Sequence, residues 1–309
     1  MPSATLRRIQ LPLFFALAFL ITWSIQIPAY LYADSRGEVL TNEANVLTFQ
    51  DTFLGTVDPA FLWVFLLFSF SFGPTIAGLI VIGLMSGGAG YRELGARIAR
   101  IRVPGRFVLA VFLIPVALSL AALLVGYVVS GFQPFDYSPL VPVALALPFL
   151  LHLLVFTALA EEIGWRGYAL PELQRRYTAE KSSWILGIGW GLWHLPSVLM
   201  PPALAGELTI PMAILSILGL TFGAVGWTIV LTWLFNSTGG SLFWILVIHG
   251  FGNWVQSYVV LSSGNYMAQV AYGVLPWVIA VVLLKRYGPE TLTDRAVGER
   301  QWKAVRAAH

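Results

Sequence analysis

The sequence contains no cysteine. Disulfides, thiolate nucleophiles and Cys-ligated metal sites are therefore excluded, and the composition gives no information about a redox compartment. Charge is scarce as well, since only 11% of the 309 residues are Asp, Glu, Lys or Arg, whereas an ordinary soluble domain has about 25%. So few charges could not cover a soluble globule with polar surface. A disordered chain is also excluded, because disorder requires high charge and low hydrophobicity.

Apolar and aromatic residues dominate what is present. Hydrophobic residues make up 58% of the chain, with 12 Trp, 11 Tyr and 20 Phe, a composition that suits interfacial aromatic belts and a packed helical interior. The sequence therefore predicts an all-α polytopic membrane protein. The formal net charge is +3, but no block of like charges interleaved with aromatics occurs, so nucleic acid is not an expected partner.

Eight stretches are long and apolar enough to span a hydrocarbon core of roughly 30 Å. They are residues 11–33, 60–86, 107–131, 141–170, 182–200, 211–235, 240–262 and 268–287. The first follows Arg7 and Arg8 but lacks a small-residue cleavage site, so we expect an uncleaved span rather than a signal peptide. No internal repeat is evident, and we expect one membrane domain over residues 1–309.

Positive charge predicts the orientation of these spans. All Lys and Arg residues except Arg36 fall in the loops and tails of one side, which the positive-inside rule places in the cytoplasm. Both termini are then cytoplasmic, in a multi-pass protein of the plasma or inner membrane. Residues 34–59 form an extracytoplasmic loop, and residues 288–309 form a charged cytoplasmic tail.

Some ionisable residues lie too deep to be explained by topology. A charged group near the bilayer centre costs at least about 2.5–3.5 kcal/mol, so by default it faces the bundle interior and has a function. The candidates are Glu161 and Glu162 with Arg166, His194, His249 with Asn253, and His152. At the helical rise per residue, Glu161, His194, His249 and Asn253 fall about 13–19 Å from the cytoplasmic edge. We therefore predict one shared site open to the cytoplasm.

The spacing within each helix indicates which catalytic role each group could have. Glu162 and Arg166 are four residues apart and can pair, which leaves Glu161 as a general base toward water in a partly dry site. His194 would hold the same water. His249 and Asn253 are also four residues apart, and both could donate to a developing oxyanion.

Structural interpretations of the same residues remain open. An isolated Glu–Arg pair is often only a clamp, and a lone intramembrane His often only packs. His152 aligns with no other polar group, so we expect it to be structural, and the Trp-rich segment 184–193 is expected to serve packing. The agreement in depth between three helices favours the functional interpretation.

Three motifs resemble one known family. The segment from Glu161 to Arg166 resembles the EExxxR motif of the CAAX prenyl endopeptidase family of intramembrane proteases, also called CPBP or Abi proteins. Trp190 to His194 is similar to its FxxxH motif, with Trp in place of Phe, and His249 to Asn253 matches its HxxxN motif. The resemblance covers roughly residues 140–260, which would be the protease core.

The resemblance implies an eight-helix, glutamate-dependent endopeptidase that acts on a hydrophobic or lipidated peptide or protein within the lipid bilayer. Glu161 and His194 would activate water, and His249 and Asn253 would form the oxyanion hole. The substitution at Trp190 should affect pocket shape more than chemistry.

The family is often described as metalloproteases, so a metal has to be considered. Zinc would take Glu161, Glu162, His194 and His249 as ligands. No H-E-x-x-H stretch is present, and Arg166 would oppose a cation, so we expect no required cofactor.

A non-proteolytic membrane protein is the alternative, either a proton-coupled transporter or a scaffold or immunity factor. Buried Glu, Arg and His also serve proton relays. No repeated pair of broken helices marks two related halves, as many transporters would have. A transporter requires a pH gradient, whereas a protease works in detergent.

Overall fold

The computed structural model describes residues 4–38, 40, 49–69 and 71–294, and within these ranges every regular element is helical. In chain order the helices are α1 (Ala4–Ser35), α2 (Pro59–Ser69), α3 (Gly73–Ile98), α4 (Gly105–Val129), α5 (Val143–Gln174), α6 (Ala179–Trp193), α7 (Leu195–Leu204), α8 (Ile210–Ser237), α9 (Leu242–Val259), α10 (Tyr266–Val274) and α11 (Pro276–Tyr287). Residues 49–54 are helical as well. The predicted all-α class is confirmed.

Six helical ranges are long and apolar enough to cross a membrane: Leu6–Ser35, Gly73–Ile98, Gly105–Val129, Val143–Gln174, Ile210–Ser237 and Tyr266–Tyr287. Large apolar side chains on them point outward, such as Leu215 with 70% of its surface exposed and Val143 with 75%. Such a surface is stable only against lipid. The chain is therefore an integral multi-pass membrane protein.

Two of the eight predicted spans, 182–200 and 240–262, are not among these six ranges. The first is divided at His194 into α6, of 15 residues, and α7. The second corresponds to α9, which has 18 residues and carries the polar side chains of His249 and Asn253. Eight spans with both termini in the cytoplasm remain a prediction.

The predicted span 60–86 is wrong at its start. Helix α2 ends at Ser69, and α3 begins afresh at Gly73 with Pro74 in its first turn, where a residue without an N–H is tolerated. The backbone of α3 leaves helical geometry at Gly87, where φ is 53°, and a second helical stretch then runs to Ile98, so Arg92 and Arg97 lie on a helix rather than in the predicted loop.

Glycines bring the site-bearing helices into close contact. A Cβ on Gly187 of α6 would lie 2.6 Å from the Cα of Val225, and one on Gly191 would lie 2.8 Å from the Cα of Thr221. Both neighbours belong to α8. Small residues four apart allow two membrane helices to approach at backbone distance, so α6 is seated on α8 just ahead of His194.

The first residues after α11 pack against the bundle. The backbone N–H of Ala179 donates to the carbonyl of Glu290 at 2.9 Å, and Asn236 Nδ2 donates to the carbonyl of Thr291 at 2.7 Å. The remainder of the predicted tail, 295–309, lies outside the described residues. The division into one domain, a protease core and a tail stays a prediction.

Candidate active site

The glutamate pair lies in an irregular part of α5. Residues Ala160–Gly164 form one α-helical turn between two π-helical segments, Leu154–Leu159 and Trp165–Ala169. Single π turns inside α-helices are rare and occur frequently at functional sites. Both glutamates therefore lie on a short α-helical turn, and the helix on each side of it has π geometry.

Glu162 is the centre of a buried ion-pair network. It is fully buried, and its Oε1 accepts hydrogen bonds from Arg166 Nη1 at 2.8 Å and from His249 Nδ1 at 2.7 Å. Arg166 is also fully buried, and its Nη2 donates to Thr228 Oγ1 at 3.0 Å. The pairing of Glu162 with Arg166 that the spacing indicated is present, and His249 joins it from a separate helix.

Glu161 has a different partner. It is 5% exposed, and its Oε2 accepts a hydrogen bond of 2.6 Å from the indole Nε1–H of Trp190. The same indole lies against the guanidinium of Arg166, 4.6 Å from its ring centroid. The sequence predicted an effect of Trp190 on pocket shape more than on chemistry, and this hydrogen bond was not expected. The sequence did contain an indication of this bond, because Trp replaces Phe in the motif and only the Trp side chain has an N–H that can donate.

His194 is oriented by the break between α6 and α7. Its backbone N–H bonds the carbonyl of Gly191 at 3.1 Å instead of that of Trp190. The carbonyl of Trp190 is then free to accept the ring Nδ1–H of His194 at 2.8 Å. Since a carbonyl can only accept, Nδ1 carries the proton, and Nε2 keeps its lone pair for another donor.

Asn253 lies one helical turn beyond His249 on α9. Its Nδ2 is 3.5 Å from Thr157 Oγ1, and that hydroxyl in turn donates to the carbonyl of Leu153. Thr157 belongs to the first π segment of α5. Sequence reasoning gave no role to Thr157 or Thr228, because a threonine in an apolar helix is not distinctive.

A cavity of about 830 Å³ connects these groups. Glu161, Trp190, His194, His249 and Asn253 all contribute to its wall. The ion pair of Glu162 with Arg166 is fully buried behind it. The structure therefore brings together the predicted residues of three helices.

His152 also contributes to this cavity, although the sequence analysis set it apart. Its ring lies 4.9 Å from that of Phe156 and is stacked on Phe149 at 6.5 Å. His152 therefore lies near the other polar groups of the candidate site, and its structural role remains a prediction.

The carboxylates and imidazoles do not form a metal site. Among the described residues, no group of three or more His, Asp or Glu side chains is arranged to hold a metal ion. Glu162 already accepts a hydrogen bond from the guanidinium of Arg166, a fixed positive charge that would repel a metal ion held beside it. The residues suggested as zinc ligands do not fit that role, and we derive no step through a metal.

Comparison with known proteins gives two matches. Residues 143–255 match the family model described as Type II CAAX prenyl endopeptidase Rce1-like. The chain is also 31% identical over 134 residues to CAAX prenyl protease 2 of Methanococcus maripaludis, a match that covers 43% of this chain and 48% of that protein. The chain thus spans about half the length of the curated relative it matches.

The family match begins at the start of α5 and ends within α9, two residues beyond Asn253. It includes α6, with His194 at the end of that helix. The resemblance to the CAAX prenyl endopeptidase family that the three motifs indicated is therefore confirmed for residues 143–255, which contain all six predicted site residues.

Proposed function

We propose that this protein is an intramembrane endopeptidase that hydrolyses a peptide bond with a water activated by Glu161. The observation that supports this is the division of the two adjacent glutamates. Glu161 reaches the cavity together with His194, His249 and Asn253, whereas Glu162 is bound by Arg166 and His249 behind it. One carboxylate is therefore available for proton transfer, and its neighbour stabilises the surrounding positive charge.

Water activation uses the free oxygen of Glu161 and the lone pair of His194. Glu161 accepts one proton of the water as the oxygen adds to the carbonyl carbon of the substrate. Nε2 of His194 accepts the other hydrogen as a hydrogen bond and orients the water, because Nδ1–H is already bound to the carbonyl of Trp190. Trp190 thus positions both groups, one through its indole and one through its backbone.

The oxyanion formed by this addition is received by His249 and Asn253. Asn253 donates one N–H of its amide. His249 already donates Nδ1–H to Glu162, so donation from Nε2 requires the imidazolium form. With Glu161 and Glu162 negative and Arg166 and His249 positive, the buried cluster is then neutral before reaction, and the developing oxyanion replaces the charge that Glu161 loses on protonation.

Collapse of the intermediate completes the cycle. The protonated Glu161 delivers its proton to the departing amine nitrogen as the carbon–nitrogen bond breaks. The products are a carboxylic acid and an amine, and Glu161 returns to its charged form. Every proton in this sequence comes from the water or returns to it, so no further co-reactant is required.

The cavity and the comparison both support the substrate class that we propose. The cavity wall includes the rings of Phe149, Phe156 and Trp193, which suit an apolar or lipidated segment. The relative is named a CAAX prenyl protease, so we propose a hydrophobic or prenylated peptide or protein, reached from the cytoplasmic leaflet, with membrane lipids around the bundle.

The deciding experiment is hydrolysis of a quenched peptide ending in an S-farnesylated CAAX sequence by purified protein in detergent. Glu161→Gln should lower kcat at least about a thousandfold, within the range that general acid–base catalysis provides. Glu172→Gln, which alters a carboxylate outside the cavity, is the matched control and should retain activity. Wild-type turnover by Glu161→Gln would refute the assignment. Activity in detergent also excludes a mechanism that depends on a proton gradient.

A further inference from the structure

The cavity extends beyond the segment that matches the family, and its most unusual contributor is Gln26 on α1. Gln26 is 6% exposed, and its side chain forms part of the cavity wall. Its Oε1 is enclosed without a hydrogen-bond partner. A buried polar atom left unpaired costs about 1–3 kcal/mol of stability. A bound ligand that hydrogen-bonds to this oxygen would remove that cost.

Helix α1 is fixed against the catalytic region by the residue one turn earlier. The indole Nε1–H of Trp23 donates to the backbone carbonyl of Trp193 at 2.9 Å, and Trp193 directly precedes His194. Residues three apart on a helix lie on neighbouring positions of one face. Gln26 is therefore held beside the end of α6 from which His194 projects.

Other glutamines in the cavity wall indicate which kind of ligand Gln26 would bind. Gln256 and Gln269 also contribute to the wall, from α9 and α10. A carboxamide carries a donor and an acceptor side by side, as does a peptide group. Carboxamides in a wall that also carries the proposed catalytic groups suit the main chain of an extended peptide rather than a lipid tail.

We infer that Gln26 is a substrate-binding residue that hydrogen-bonds a peptide group of the substrate close to the bond that is cleaved. This assignment rests on the proposed peptidase function and adds a contact from outside residues 143–255. A turn of the side chain about its last bond exposes either the oxygen or the nitrogen, so the carboxamide can accept from the substrate N–H or donate to its carbonyl.

The test compares Gln26→Met, which keeps the length and removes the amide, with wild type. KM for the quenched farnesylated peptide should rise about five- to tenfold, as expected for one lost hydrogen bond, with kcat within about twofold. The melting temperature in detergent should stay the same or rise, because an unpaired buried amide has been removed. A lowered melting temperature with unchanged KM would make Gln26 structural and overturn the inference, as would no change in either quantity.

Gln10→Met supplies the matched control. Gln10 is a buried glutamine on the same helix, but its amide is bonded to Glu172 and Tyr168. Its substitution should lower the melting temperature and leave KM unchanged. Equal effects of the two substitutions on KM would count against a specific role for Gln26.

An ester scan identifies the contacted peptide group. Peptides in which one amide at a time is replaced by an ester lose the N–H and weaken the carbonyl acceptor. One such replacement should raise KM for wild type but have no additional effect in Gln26→Met, because the two changes remove the same interaction. Ester penalties that are equal in both proteins at every position would overturn the inference.

The outcome can be separated from that of the proposed function. Binding of the same peptides to the Glu161→Gln variant is measured without turnover, by fluorescence titration. If wild type fails to hydrolyse the peptide, the proposed function fails. Weaker binding of the peptide to Glu161→Gln/Gln26→Met than to Glu161→Gln would still support the contact, and equal binding would refute it.

Discussion

The indole N–H of Trp190 donates a hydrogen bond of 2.6 Å to the carboxylate of Glu161. The aromatic residue that opens the second motif therefore holds the proposed general base of the first. A phenylalanine at this position would fill similar space but could not donate. The substitution of Trp for Phe thus concerns the chemistry of this site as well as its shape.

Replacing Trp190 by Phe should separate these two contributions. We expect Trp190→Phe to fold and bind substrate with similar KM, because the ring that packs over Arg166 is retained. The kcat should fall about tenfold or more, since a hydrogen bond to a charged group is worth roughly 1.5–3 kcal/mol. Steady-state kinetics on the quenched peptide measure both quantities.

Trp193→Phe is the control for loss of an indole. Trp193 is buried on the same helix, and its Nε1 has no hydrogen-bond partner. We expect a smaller loss of kcat than for Trp190→Phe. Equal losses in the two variants would mean that the indole bond to Glu161 is not used in catalysis.

Asn253 and its neighbour Thr157 should differ in their effect on turnover. Asn253→Ala removes the proposed oxyanion donor and should lower kcat about a hundredfold or more, with little change in KM. Thr157→Val removes only the hydroxyl that the Asn253 amide faces and should cost less than about tenfold. A reversed order, with Thr157→Val the more severe, would assign the donor role elsewhere.

The buried pair of Glu162 and Arg166 should govern stability. Arg166→Met leaves a buried carboxylate without its main partner and should destabilise the fold by about 3–5 kcal/mol. Arg175→Met breaks a partly exposed pair with Glu172 and should cost about 1 kcal/mol or less. Thermal unfolding in detergent gives the comparison.

A double substitution distinguishes pairing from packing in this network. Arg166→Met combined with Glu162→Leu removes both charges, so much of the lost stability should return while activity stays absent. A double variant as unstable as Arg166→Met alone would show that the guanidinium acts through its other contacts, to Thr228 and Trp190.

The cavity wall also predicts whether the enzyme requires a free carboxylate at the C-terminus of its substrate. Among the described residues, none that contributes to the wall is Lys or Arg. These residues therefore offer no permanent cation to a free carboxylate, and a buried, unpaired carboxylate would be costly. A peptide with an amidated C-terminus should therefore be cleaved with kcat/KM within about threefold of the free acid. Loss of cleavage on amidation would indicate that the terminus is bound by a cation.

The sequence was most informative where charge was scarce. Glu162 with Arg166, and His249 with Asn253, were found because intramembrane ionisable groups have few explanations, and the four-residue spacing correctly indicated the pairing of Glu162 with Arg166. The long apolar helices α4 and α8 were located to within a few residues, although α4 contains Pro115 in its interior.

Other features could not be read from the sequence, for physical reasons. The start of α3 depended on Gly73 and Pro74, which a hydropathy average over 60–86 does not register. The bond between Trp190 and Glu161 joins residues 29 positions apart, and periodicity within one helix carries no information about contact between helices. Gln26 was not predicted from the sequence, because burying an uncharged amide in an apolar helix costs much less free energy than burying a charge and is therefore common.

The two π segments on either side of the glutamates change which face of α5 each residue occupies, so a regular helical wheel does not describe this helix. A π turn closes its hydrogen bond one residue later than an α turn, so residues before, between and after these segments follow three different angular registers. A wheel drawn through α5 as one regular helix would project Thr157, Glu161 and Leu170 onto incorrect faces. Deleting a single residue from the regular turn between the two segments would rotate the residues on its two sides by about 100° relative to one another, so this part of α5 should tolerate substitutions far better than changes in length.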